Sequence, residues 1–150
     1  MDQPTANHEY NGYAYMFAGL QVHHTDFSRA DSAHLVVGQR GATHNTVEGK
    51  TTLNGSSSVN DVGADVLPNG RADLRIEGLA NGQIVAYWQV ANTTGNSTND
   101  NWQLYNGSGQ LPGTFPNWGG NSVYIGLITY AFGYNGVPFM GVADSLKVEN

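Results

Sequence analysis

The chain has 150 residues, the size of one domain, with 20 Gly and 16 Asn, 12% charged residues and 11% aromatic ones. That mixture argues against a helical bundle, which needs Ala, Leu, Glu and Lys in quantity, and against disorder, which goes with few aromatics and much charge. A net charge of -6 leaves no basic footprint for nucleic acid, and the absence of Cys excludes disulfides, thiol catalysis and Cys-based zinc sites.

In chain order, the first stretch with a period of two is Tyr13–His23. Met16, Ala18, Leu20 and Val22 share one face. Tyr13, Tyr15, Phe17 and Gln21 share the other, so this strand has apolar material on both sides, either extending a binding face or forming a second packed layer. A strand follows at Ala33–Arg40. Thr51–Asn69 reads as a long loop. Arg71–Glu77 is the cleanest alternation, with Ala72, Leu74 and Ile76 opposed to Arg71, Asp73, Arg75 and Glu77. Gln83–Val90 completes a hairpin across the Gly78–Gly82 turn. Trp88 shares its side with Ala86 and Ile84 and reads as core. Its neighbour Tyr87 then points to the exposed face with Arg75 and Gln89. Asn92–Asn101 is a second long loop. A short strand at Trp102–Tyr105 precedes the irregular stretch Asn106–Asn121. Strands are expected again at Ser122–Thr129 and Ala143–Glu149, the last with a register that a bulge near Ser145 would repair. No segment has helical periodicity.

Six Asn-Gly pairs punctuate the chain, at Asn11, Asn54, Asn69, Asn81, Asn106 and Asn135. Such pairs tolerate positive φ and favour tight turns between strands. Many short strands with frequent turns predict an all-β fold, a two-sheet antiparallel β-sandwich over residues 1–150. No apolar run approaches the ~18 residues of a membrane span. The opening Met1-Asp2-Gln3-Pro4 is polar and shows no signal peptide. The chain is expected to be one domain of a larger multidomain protein.

Four stretches carry a resemblance. Phe17-Ala18-Gly19-Leu20-Gln21-Val22 and then Ser32-Ala33-His34-Leu35-Val36-Val37 resemble two consecutive strands of concanavalin-like jelly rolls. Ala72-Asp73-Leu74-Arg75-Ile76-Glu77, a turn, and Ile84-Val85-Ala86-Tyr87-Trp88 are similar to that superfamily's hairpin. Val123-Tyr124-Ile125-Gly126-Leu127 and Ala143-Asp144-Ser145-Leu146-Lys147-Val148 resemble its last strands, although Ala143 stands where an aromatic is usual. Order and spacing run across most of the chain. The resemblance implies a jelly-roll sandwich of the lectin/glucanase kind. Small modules of that superfamily are usually secreted carbohydrate-binding modules attached to polysaccharide-degrading enzymes. It also implies a structural calcium ion near the chain ends, with Asp144 as a ligand and Glu9 or Asp2 as its partner. Calcium takes six to eight oxygens, which loop carbonyls supply readily.

Sugars present C–H patches that stack on aromatic faces and hydroxyls that take polar partners. Trp118 in Asn117-Trp118-Gly119-Gly120-Asn121, Tyr134 in Gly133-Tyr134-Asn135-Gly136, and Trp102 after Asn99-Asp100-Asn101 lie in polar, Gly-rich loops suited to this. The bland alternative is that they cover the ends of the sandwich. Tyr87, Arg75 and Gln89 form a second candidate set on a sheet face.

His23 and His24 are adjacent on a strand, point to opposite faces and cannot jointly hold one metal. His8, His34 and His44 are scattered and read as surface or partly packed residues. The paired acids E-x-D-x-E of glucanases are absent. Asp73 and Glu77 are interleaved with Arg71 and Arg75, as on a salt-bridged surface strand. No G-x-S-x-G elbow occurs. Gln21-Val22-His23 matches the Q-[IV]-H strand of alginate lyases on this fold, while the other lyase signatures are missing.

The expected function is non-catalytic binding of a polysaccharide or oligosaccharide outside the cell, bringing a linked enzyme or adhesin to its glycan. A neutral glycan is mildly preferred, because an acidic domain repels polyanions. Two alternatives stand beside it: a small lyase using His23 and a Tyr, and a structural or adhesive domain that binds no glycan.

Overall fold

Among the described residues the chain forms eight strands: β1 (Tyr15–His24), β2 (Ser32–Arg40), β3 (His44–Leu53), β4 (Ser56–Asp61), β5 (Ala72–Gly78), β6 (Ile84–Val90), β7 (Gln103–Leu104) and β8 (Val123–Phe132). The structure is a computed structural model and describes residues 15–41, 44–68, 70–91, 101–113, 121–132 and 141–149. Among them there is no α-helix, only a 3-10 turn at Tyr105–Gly107. Among the described residues all strand pairings are antiparallel. They form a five-stranded sheet in the order β4-β3-β2-β1-β8 and a three-stranded sheet in the order β5-β6-β7.

The two sheets meet over one apolar core. Val22 of β1, Ala33, Leu35 and Val37 of β2 and Val47 of β3 pack against Ala72 of β5 and Ile84, Ala86 and Trp88 of β6. Each such buried Val, Leu or Ile contributes about 1.5–3 kcal/mol. Trp88 lies in this core, as its parity with Ala86 and Ile84 demands. Leu67, Tyr105 and Leu111 complete it from the connections. Tyr105 is fully buried and donates its hydroxyl to the Asn60 carbonyl at 2.7 Å. Gly49 makes room for it: a Cβ there would stand 2.7 Å from both Tyr105 Cζ and Leu111 Cδ2.

Three expectations change. The segment expected as a loop from Thr51 to Asn69 instead holds the end of β3 and all of β4, joined across Asn54-Gly55 with φ of 51° and 80°. These positive angles are what an Asn-Gly hairpin turn requires. The strand expected at Ala143–Glu149 has no strand pairing. That run passes beside the start of β5, where Asp144 accepts from Arg71 at 2.8 Å. The short strand from Trp102 shrinks to Gln103–Leu104, because Tyr105 turns into the 3-10 segment.

Candidate functional site

Register fixes which side chains share the outer face of the larger sheet, the face turned away from the core. Tyr15, Phe17, Gly19, Gln21 and His23 of β1 lie opposite Phe132, Tyr130, Ile128, Gly126 and Tyr124 of β8. On the other side they meet Arg40, Gly38, Val36, His34 and Ser32 of β2, which in turn oppose Thr46, Glu48 and Lys50 of β3. This face therefore collects polar, titratable and aromatic groups, whereas the opposite face supplies Val22, Leu35, Val37 and Val47 to the core.

The middle of this face is closed by packed side chains. Phe17 is fully buried and lies 5.4 Å from the Tyr130 ring. Of the two roles open to Phe17 in the sequence, it takes that of a second packed layer. Its ring occupies space that Gly38 leaves: a Cβ on Gly38 would fall on the Met16 carbonyl and 2.8 Å from Phe17 Cδ1. His34 sits 5.2 Å from Tyr130, and the Tyr130 hydroxyl donates to Glu48 Oε1. Both His34 and Glu48 are only 5% exposed. Burial, with Lys50 adding repulsion, pushes the His34 imidazole down to about 4, so it is neutral near pH 7. Burial raises Glu48 above the usual carboxylate range, although the Tyr130 hydrogen bond and the charges of Arg40 and Lys50 pull the other way. Burial and the Glu48 carboxylate raise the Tyr130 phenol, which stays protonated and a donor.

The two ends of the face are open. At the His24 end, Phe27 and Tyr124 stack with ring centroids 5.4 Å apart and planes 11° from parallel. They are 70% and 55% exposed. His23, directly across from Tyr124, lies 4.9 Å from Phe27. The His23 Nδ1 is 2.7 Å from the His24 carbonyl, which can only accept, so Nδ1 carries a proton and donates, and Nε2 is the ring nitrogen left free of that bond. Gln21 is two residues away on the same face, opposite Gly126, and a Cβ on Gly126 would meet open space. Phe27 is held by its connection. The Asp26 carboxylate caps Ser28, accepting from its N–H at 3.0 Å and its hydroxyl at 2.7 Å. Buried Asp31 accepts from Arg29 Nε at 2.9 Å and from the Asn54 N–H at 2.8 Å, tying this connection to the β3–β4 turn. The Asn54 N–H, then Arg29, hold the Asp31 carboxyl below its ordinary range.

At the Tyr15 end, a cleft of about 290 Å³ opens between Tyr15, Arg40, Thr46, Asp61 and the Gly63–Ala64 backbone. Arg40 lies 5.8 Å over the Tyr15 ring and pairs with Asp61. Phe132, 72% exposed, sits across from Tyr15 at 6.1 Å.

Compared with protein-family models, curated proteins and solved structures, the chain gives no match. Its two-sheet antiparallel architecture stands on the strand pairing itself.

The residues singled out in the sequence fall in several places. Trp118, Tyr134 and Glu9 lie outside the described residues, as does Asp2. Tyr87, Arg75 and Gln89 share the outer face of the smaller sheet. Arg75 covers the Tyr87 ring at 5.5 Å and pairs with Glu77, while Gln89 is buried and donates to Asp73 at 2.9 Å. Trp102 is half-buried just before β7. Asp144 is exposed and bonded to Arg71. Among the described residues no three His, Asp or Glu side chains gather to hold a metal ion. The stacked pair Phe27–Tyr124 was not foreseen. It joins a connection to a strand far away in the chain, and the signals that pointed to this face were the Gln21-x-His23 spacing and the Tyr15 and Phe17 parity.

Proposed function

We propose that the protein is a non-catalytic polysaccharide-binding domain whose glycan lies on the outer face of the larger sheet. The observation that supports this most is the exposed, stacked Phe27–Tyr124 pair with His23 beside it. Two large aromatic rings left in water are costly unless a ligand covers them, and an exposed aromatic face is what the C–H face of a sugar ring stacks on. The His23 Nε2 edge and the Gln21 amide offer hydrogen-bonding groups for sugar hydroxyls. A jelly roll of the concanavalin-like kind, export from the cell and a linked enzyme or adhesin belong to the same proposal. Calcium enters it through Asp144 and Glu9, and the ion would have to displace Arg71 from Asp144. A melting temperature that falls in EDTA and recovers with added calcium is the outcome such an ion requires.

Affinity gels containing mixed-linkage β-glucan, xylan, mannan or alginate test the reading. At least one polysaccharide retards the protein, and Tyr124→Ala or Phe27→Ala weakens retention at least tenfold, as loss of one stacking anchor worth ~2 kcal/mol does. A wild-type protein that no gel retards defeats it. A second reading, a small polysaccharide lyase, is favoured by one specific observation: Gln21 and His23 share a face and Tyr124 lies directly across from His23. Growth of absorbance from unsaturated ends when alginate is incubated with the protein separates the two.

A further inference from the structure

Both ends of the β1–β8 pair finish in an aromatic cross-strand pair on the outer face: His23 with Tyr124 at one end, Tyr15 with Phe132 at the other. The two pairs are alike in a further respect. Each leaves one ring largely in water, Tyr124 at 55% and Phe132 at 72%, backed by a partner that the sheet holds in place. Polar groups stand beside each. At the far end these are Arg40 and Asp61, which line a cleft next to Tyr15. The eight residue steps from Tyr15 to His23 place the ends roughly 26 Å apart along one strand.

We propose that the Tyr15–Arg40–Asp61 cleft, together with Phe132 on the other side of the Tyr15 ring, is a second sugar subsite. The protein then holds the interior of a linear neutral glycan laid along β1, not a single sugar or a chain end. This rests on the reading of the Phe27–Tyr124 platform given above. Neutrality follows from the pairing at the cleft. The Arg40 guanidinium is matched by the Asp61 carboxylate, so the two together present donors and acceptors for hydroxyls without a net charge to attract a uronate. Asp61 is fixed for that role, since its other oxygen accepts from the Gly63 N–H at 3.1 Å. Two subsites on one rigid sheet act as linked sites. A chain long enough to reach both gains affinity with no new contact at either.

The test is calorimetric titration with oligosaccharide series of xylan, mannan and mixed-linkage β-glucan, and with oligomannuronate, each in increasing length. Wild-type affinity is expected to rise at least tenfold once the oligomer spans both ends. Phe132→Ala should abolish that rise while leaving short oligomers bound as before. Tyr124→Ala should weaken short and long oligomers alike. Phe132 and Tyr124 are exposed, so both variants stay folded, which thermal melts verify. Affinity that is flat with length, or a Phe132→Ala variant that keeps the rise, overturns the second subsite while short-oligomer binding leaves the Phe27–Tyr124 platform standing. Tighter binding of oligomannuronate than of any neutral series overturns the neutral assignment. If no oligomer of any series binds the wild type, the platform fails and the second subsite falls with it.

Discussion

His34 has its imidazole enclosed between Gln21 and Lys50 on the outer face, and it holds its proton far less tightly folded than unfolded. Between about pH 6.5 and 4 the unfolded chain therefore binds more protons at this position than the native one, so native stability falls as pH drops through that window. A shift of this size corresponds to about 3 kcal/mol. Glu48 acts in the opposite sense. Its raised native pKa costs stability as pH rises through the folded value, and protonation on acidification relieves the cost. Urea melts of wild type and His34→Gln at pH 7 and pH 4.5 separate the two. The wild type should lose clearly more stability than the variant on going to the lower pH. Asp31 is the other group whose removal reaches the candidate site. Asp31→Ala frees the Arg29 guanidinium and the Asn54 N–H, costs about 2 kcal/mol in a chemical melt, and loosens the connection that carries Phe27. Phe27→Ala should change stability by less than about 0.5 kcal/mol because the ring is mostly in water, whereas Trp88→Ala removes a core side chain and costs ~3–5 kcal/mol.

Strands with a strong apolar face were legible as strands. β5 and β6 show the period of two that a sheet buried on one side imposes, and β1, β2 and β8 carry apolar runs with residues on both faces. β3 and β4 hid because their sequences, His44–Leu53 and Ser56–Asp61, are built from Thr, Ser, Asn and Gly, the composition of a loop. Only Val47 reaches the apolar core from them, yet Asn54-Gly55 already marked the turn between them. The run from Ala143 reads as a strand by residue type, and it lies beside β5 without ladder bonds. The candidate site was legible only in part. Gln21 and His23 could be placed on one face by parity, but nothing local shows that Phe27 stacks on Tyr124, since strand order alone brings β8 against β1. Close approach within the larger sheet gives a test at this scale. Gly38→Ala drives a methyl into the Met16 carbonyl and Phe17, so the variant should melt several degrees lower, whereas Gly126→Ala, which meets open space, should be neutral to within about 0.5 kcal/mol.

Across the whole molecule, pairings fall into two classes of sequence distance. β2 with β3, β3 with β4 and β5 with β6 are hairpins whose partners follow one another along the chain. β1 with β8 joins residues about a hundred positions apart, Tyr15 to Phe132 and His24 to Val123. Loop closure of that length is slow relative to hairpin formation. Pulse-labelled hydrogen exchange during refolding should find amides of β2–β3 and β5–β6 protected before those shared by β1 and β8. The opposite order would show that the long pairing nucleates the sheet.

That late pairing has a consequence for synthesis on the ribosome. Until Val123–Phe132 has emerged, the growing chain carries β1 with one edge unpaired, and this edge belongs to the strand that bears both aromatic ends of the face. An open strand edge of ten residues is a template for any other extended chain. A pause in translation before residue 123 therefore holds the nascent chain in the state most open to mispairing with its neighbours on the same messenger.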